Sequence, residues 1–254
     1  MKKKIVMLVG GDHSSNAIYN ALKNQYNISN IILEEPKTKT AFIKRRIKKL
    51  GLLKVIGQAC FQKFVVPFLK KESKTRVQDI IKENHLSFDS FEEDTLIHVP
   101  SANSQICIEI LQKINPDIVI VNGTRIISKK VLNSIKGTFI NTHAGLTPLY
   151  RGIHGAYWSK INNDGHCGVS VHLVDPGIDT GGILFQDLIE TNNQDNFVSY
   201  TYLQMAKGIE CMKLAIDSLL VDEAKVITNG LDSKFWTHPT LWFYLKNRII
   251  NNVK

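Results

Sequence analysis

A chain of 254 residues with 43% hydrophobic and 22% charged side chains is long enough to bury one large α/β core, with or without a short appendage, and its ordinary composition excludes a disordered or fibrous protein. The net charge of +9 points to an anionic partner, a role that nucleic acid, a phosphate-bearing molecule or an acidic lipid surface would each satisfy. No run approaches the roughly eighteen uninterrupted apolar residues of a membrane-spanning helix, and Cys60, Cys107, Cys167 and Cys211 lack CxxC or metal-ligand spacing, as expected of reduced thiols in a soluble, cytoplasmic protein.

In chain order, the apolar run from Lys4 to Gly10 reads as a first buried strand, since it stops too soon for a signal peptide and no small-residue cleavage site follows. HSSNAIYNALKNQ then has helical spacing and ISNIILE is a second apolar run, which together make a βαβ opening. Further strands are expected at 116–122, 138–143, 168–175 and 181–190, with helices over NSQICIEILQKI, SKKVLNSI and about 197–220. Helices between the early strands predict a mainly parallel sheet with right-handed crossovers, while the short link between the last two strands predicts antiparallel pairing. This places one α/β unit at 1–222, interrupted by a basic helical insertion over about 37–90. A tail at 223–254 follows, whose aromatic residues read as packing groups.

The insertion is the unusual segment. Between 37 and 76, Lys37, Lys39, Lys44, Arg45, Arg46, Lys48, Lys49, Lys54, Lys63, Lys70, Lys71, Lys74 and Arg76 face only Glu72. Interleaved with LLKVIGQACF and KFVVPFLKK, they form one or two amphipathic helices, either packed on the domain with a solvated basic face or held against an anionic membrane surface.

The chemistry is concentrated between Asn141 and Leu184. Asn141 and His143 stand two apart at the end of a predicted strand, so their side chains leave the same face of the sheet, at the carboxyl edge where open α/β sheets bind ligands. Asp179 follows in a GIDTGG turn. Taken singly, His143 could be a structural histidine and Asp179 a turn residue. The Asn-x-His pair, the Asp-x-Gly of Asp179 and Gly181, the run Leu146, Pro148, Tyr150 and Gly152, and GVSVHLVD together resemble the folate-dependent formyltransferase family. That family includes glycinamide ribonucleotide, methionyl-tRNA and sugar N-formyltransferases, and the likeness covers about 3–35 and 115–190.

The resemblance implies a Rossmann-like, mainly parallel twisted sheet, and an enzyme that takes a formyl group from 10-formyltetrahydrofolate without a metal. An amine attacks the formyl carbon, charge develops on its oxygen, and a proton passes towards the departing folate nitrogen. Asn141 and a protonated His143 would donate to that oxygen, and Asp179 would keep His143 charged and relay the proton. The folate would lie between Thr124, Arg125, Ile126 and Ile127, which could instead simply open a helix, and Val174, Asp175, Pro176, Gly177 and Ile178. For the acceptor's anionic end, Gly10, Gly11, His13, Ser14 and Ser15 open a helix after the first strand, an arrangement that also fits a simple capped start. Tyr150, Arg151 and Gly152 complete the proposed acceptor site.

His154, His166 and His172 lack metal-site spacing, and His172 reads as a core histidine before a supporting one. About sixty residues follow Glu190, which disfavours a nucleic-acid acceptor and the extra domain that tRNA enzymes carry. The acceptor is therefore expected to be an amine on a nucleotide-linked amino sugar, of the kind used in O-antigen biosynthesis, its diphosphate near the basic rim of 37–76. A glycinamide ribonucleotide enzyme of purine synthesis, and a non-catalytic basic module binding membranes or nucleic acid, remain alternatives. The oligomeric state is not legible.

Overall fold

The computed structural model describes residues 3–36 and 46–254. The basic residues Lys37, Lys39, Lys44 and Arg45 lie outside the described residues. Seven strands form one sheet in the order β3-β2-β1-β4-β5-β7-β8: β1 (Ile5–Val9), β2 (Ile28–Glu34), β3 (Leu96–Val99), β4 (Ile118–Asn122), β5 (Thr138–His143), β7 (Gly168–Leu173) and β8 (Ile183–Leu188). The pairs from β3 through β5 are parallel, whereas β5–β7 and β7–β8 are antiparallel. The sheet is thus α/β and Rossmann-like, with an antiparallel extension on one side.

The parallel strands are apolar on both faces because both are covered. From β1, Ile5, Met7 and Val9 pack with α1 (His13–Leu22) and α8 (Ser199–Leu220) in one cluster, while Val6 and Leu8 pack with α5 (Gln105–Ile114) and α6 (Lys129–Leu132) in the other. The order reverses between β1 and β4, which opens a crevice at their carboxyl ends. There the backbones nearly touch: a Cβ on Gly10 would lie 2.3 Å from the Gly123 carbonyl oxygen, and Gly123 has φ +68°.

Several elements were not foreseen. The short β3 on the sheet edge, α7 (Gly155–Asn162), and the two-residue strands β6 (Arg151–Gly152) and β9 (Phe235–Trp236), which pair in parallel, carry too few residues to show a period. The 223–254 segment also contains α9 (Leu241–Ile250), capped by Thr240.

The insertion is helical. A continuous stretch, Leu52–Glu72, runs through α2 (Leu52–Cys60), a π-helical turn (Phe61–Val65) and α3 (Val66–Glu72), and α4 (Lys74–Glu83) follows. With a mean hydropathy of 1.4, this stretch is the one helix among the described residues long and apolar enough, by length and composition, to cross a membrane. It is not an uninterrupted apolar run, since Lys54 and Lys63 fall within it, but its average stays high. Phe61, Val65 and Leu69 join the core cluster that packs against α8.

Two half-buried histidines tie these parts together. His154 Nε2 and His238 Nδ1 lie 2.9 Å apart, Gln62 Nε2 is 3.0 Å from the same His238 nitrogen, and Gln58 Nε2 donates to the His238 carbonyl at 2.6 Å. Burial, and then the neighbouring His238, pushes His154 down to about 3, and burial with Arg46 nearby pushes His238 down to about 4. The unfolded chain therefore binds more protons than the folded one below the ordinary histidine pKa of 6.5. The stability due to neutral burial is present above that pH and is lost as pH falls. For His154 alone the loss reaches about 2 kcal/mol by about pH 5. Urea unfolding should give a lower midpoint at pH 5 than at pH 7, and His154→Asn, which tolerates the left-handed backbone at φ 62°, should narrow that difference.

Candidate functional site

The antiparallel pairing of β5 with β7 builds the site, because it sets Asn141 directly opposite His172 and His143 opposite Ser170. Side chains two apart on β5 and their cross-strand partners share one face. His172 Nδ1 donates to its neighbour's carbonyl, Leu173 O, at 2.7 Å. That bond leaves Nε2 as an acceptor in the neutral ring, and the Asn141 amide lies 3.3 Å from it. Burial lowers the His172 pKa and the nearby His143 adds to this, while the Leu173 bond and Asp179 oppose it. The neutral form is therefore the one that holds the amide.

Asp179 arrives from the loop after β7 in a left-handed conformation, φ 52°. Its Oδ2 accepts the Gly152 N–H at 2.8 Å, while Oδ1 faces His143 Nδ1 at 3.4 Å and His172 Nε2 at 3.8 Å. Arg151 Nη1 donates to Ile178 O at 3.1 Å, bracing the same loop. Asp175 closes the turn, accepting from Gly177 N–H and from the Thr180 hydroxyl. His143 Nε2 donates to Tyr150 O at 2.7 Å, so both of its ring nitrogens already face an acceptor.

A cavity of about 360 Å³ lies against this cluster, lined on one side by residues 121–127 and on the other by Val174, Asp175, Gly177, Ile178 and Asp179, with Asn141, Thr142 and His172 between. Thr124, Arg125, Ile126 and Ile127 line it. The Arg125 guanidinium is turned elsewhere, donating to Pro100 O and Glu35 O, while its backbone N–H reaches the buried Glu34 carboxylate at 2.7 Å. Pro176 is not among the lining residues. Val121, Thr142 and Ile153, which sequence reasoning left out of the site, are, together with Asn122 and Gly123 at the start of the loop and His172, read first as a core histidine. His143 is buried beside this wall rather than on it.

Three expectations for the acceptor site are corrected. Tyr150 is fully buried, its hydroxyl donating to Asp164 and accepting from Asn162. What it presents is its carbonyl, to His143. Arg151 and Gly152 support Asp179, Gly152 also lining the cavity. The turn at Gly10, Gly11, His13, Ser14 and Ser15 is occupied by its own carboxylate: Asp12 caps α1, accepting from Ser15 N–H and from the Ser14 and Ser15 hydroxyls. Those hydroxyls also accept from Asn122 Nδ2 at 2.8 and 2.9 Å. A phosphate there would meet a carboxylate rather than free N–H groups.

Burial pushes the Cys107 thiol up to about 12 and those of Cys167 and Cys211 up to about 11, which keeps all three protonated and unreactive.

Residues 3–202 match the family model described as Formyl transferase. The chain belongs to this family. Among its relatives, the methionyl-tRNA formyltransferase of Finegoldia magna is 34% identical over 116 residues, 45% of this chain and 37% of that protein. The GDP-perosamine N-formyltransferase of Brucella melitensis is 33% identical over 110 residues, 43% of this chain and 42% of that protein. The chain thus spans 37–42% of the length of these curated relatives. A sugar N-formyltransferase structure from Shewanella sp FDAARGOS_354 shares the fold at a TM-score of 0.58 and 14% identity, over 92% of this chain and 76% of that one.

Because Tyr150 acts through its carbonyl and its packing, Tyr150→Phe should lower stability by about 1–2 kcal/mol through the lost buried hydrogen bonds. The KM for the acceptor proposed below should stay within about twofold; a rise of tenfold or more would restore the tyrosine to the acceptor site.

Proposed function

We propose that the chain transfers a formyl group from 10-formyltetrahydrofolate to a primary amine, and that the acceptor is a nucleotide-linked amino sugar. The observation that carries the first part is the meeting of the Asn141 amide and the Asp179 carboxylate on the wall of one cavity, with two histidines fixing them. A flat, amide-rich ring needs an apolar slot with backbone donors and acceptors. The segments 121–127 and 174–179 supply one, with Val121, Ile126, Val174 and Ile178 as apolar walls. When bound, the folate supplies the one-carbon unit.

The chain's own residues then divide the work. Asn141 gives one N–H to His172 and keeps the other for the oxygen on which charge develops. Asp179, held in place by the Gly152 N–H, takes a proton from the attacking amine and passes it on to the nitrogen that leaves as the formyl carbon–nitrogen bond breaks. His143, with both nitrogens facing acceptors, acts through Asp179 by orienting it, a role different from direct donation to the oxygen. The sugar acceptor is supported by the names of the Brucella and Shewanella relatives. None of the described residues in 46–76 lines the cavity, so the basic segment lends that choice no support.

Loss of one donor to a developing oxyanion typically costs a hundred- to thousandfold, so Asn141→Ala should lower kcat by about that factor with an unchanged melting temperature. Asp179→Asn should lose on the order of a thousandfold. His172→Leu should lower kcat by roughly tenfold, since the amide remains but is no longer oriented. A near-normal rate in either of the first two would refute the assigned role. For the acceptor, 10-formyltetrahydrofolate is offered with a nucleotide-linked amino sugar, glycinamide ribonucleotide or methionyl-tRNA, and mass spectrometry reads the gain of one formyl group. Transfer to the sugar is expected. Transfer to one of the others alone would reassign the acceptor, and transfer to none would overturn the activity.

A further inference from the structure

Two helices present an apolar face to solvent. Along Leu52–Glu72 the outward side chains are Leu52, Leu53, Ile56, Phe64 and Phe68, with Leu53 77% and Phe64 62% exposed. On α9 they are Trp242, Leu245 and Ile249, at i, i+3 and i+7, with Ile250 beside them; Trp242 is 54% and Ile249 82% exposed. The helices lie side by side. The Trp242 ring sits where a Cβ on Gly57 would be, 2.2 Å away, and Arg248 reaches both the Phe68 ring and the Glu72 carboxylate. Large aromatic and aliphatic groups exposed together on neighbouring helices form an interaction surface rather than scattered exposure.

Its surroundings name the partner. Residues 46–76 carry nine Lys and Arg side chains against Glu72 alone, and 241–254 carry three against none. Lys54, Lys63, Lys70, Lys71 and Lys246 are exposed on the same two helices, and Lys63 Nζ lies over the Phe64 ring. A second copy of the chain docking by this face would bring two basic rims together. A surface of negative headgroups over hydrocarbon complements both features at once.

The helix lies on such a surface and does not cross it. Phe61, Val65 and Leu69 belong to the core, and Gln58 is buried, its amide donating to His238 O and Thr237 Oγ1. Insertion would break that packing.

We propose that the exposed face of Leu52–Glu72 and α9 docks the protein on a bilayer rich in anionic lipid, the aromatic side chains entering the headgroup boundary and the lysines pairing with phosphates. The test uses the whole chain with phosphatidylcholine vesicles, either pure or containing about 30% phosphatidylglycerol, sedimented at low salt and at about 0.5 M salt. Binding should be roughly tenfold greater to the anionic vesicles and should fall by a similar factor in high salt. Phe64→Ser with Phe68→Ser, and separately Lys63→Glu with Lys70→Glu and Lys71→Glu, should each abolish it while leaving the melting temperature and solution turnover unchanged. Brominated acyl chains should quench tryptophan fluorescence, and Trp242→Phe should remove that quenching. Failure to sediment with anionic vesicles at low salt, or equal binding by all variants, would overturn the proposal. So would a concentration-dependent dimer that the serine variant dissociates without any vesicle binding, which would assign the face to a second copy.

Discussion

The site depends on one carboxylate held where three pieces of chain meet. Asp179 is mostly buried, and a carboxylate withdrawn from water must be compensated by hydrogen bonds or opposite charge. Oδ2 obtains the Gly152 N–H and Oδ1 faces His143 Nδ1 at 3.4 Å, with the neutral His172 ring packed beyond it. Each of these partners is itself fixed: Gly152 by the β6–β9 pairing, His143 by Tyr150 O and His172 by Leu173 O. Gly152 takes φ +101°, and a Cβ there would lie 2.2 Å from Trp236 O. The donor can therefore point at Asp179 only because that position has no side chain.

The two histidines show how backbone contacts assign chemistry. Each ring gives one nitrogen to a carbonyl, which settles the tautomer and directs the other nitrogen. In His172 the remaining nitrogen faces an amide and works as an acceptor. In His143 the remaining nitrogen faces a carboxylate, and a proton placed there completes an ion pair. Chemically identical side chains on adjacent strands therefore do different work.

Much of this was legible in the sequence and some was not, for physical reasons. Strands at 28–34 and 138–143 appear where the apolar runs put them, because both faces of a covered sheet demand continuous apolarity. That Asn141 and His143 share a face was readable from period two, whereas the resemblance to the formyltransferase pattern brought Asp179 to them. The part of His172 was not, since it follows from the register of β5 against β7, and registry between distant strands leaves no local trace. Tyr150 was assigned to the acceptor because a run resembling a family pattern does not tell a side chain from its own carbonyl. The helix start at Gly10–Ser15 resembled an anion site, yet Asp12, three residues before Ser15, is a strong N-cap. The capped start, the other reading of that segment, is the one the structure holds.

The insertion shows the limit of charge counting. Its excess of lysine was plain, but a basic amphipathic helix packed on a domain and one facing a membrane share the same composition. What separates them is which side chains the core takes. Phe61, Val65 and Leu69 go inward, so Leu53, Phe64 and Phe68 are left outside together, and α9 adds a second outward stripe next to them through the Gly57–Trp242 contact. The same helix is tied through Gln58, His238 and His154 to the segment containing Ile153, on the cavity rim. A chain of hydrogen bonds through Gln58, the His238 carbonyl and the two imidazoles thus joins the helix to the wall of the site, with the Arg46 guanidinium donating to Gln58 at its outer end.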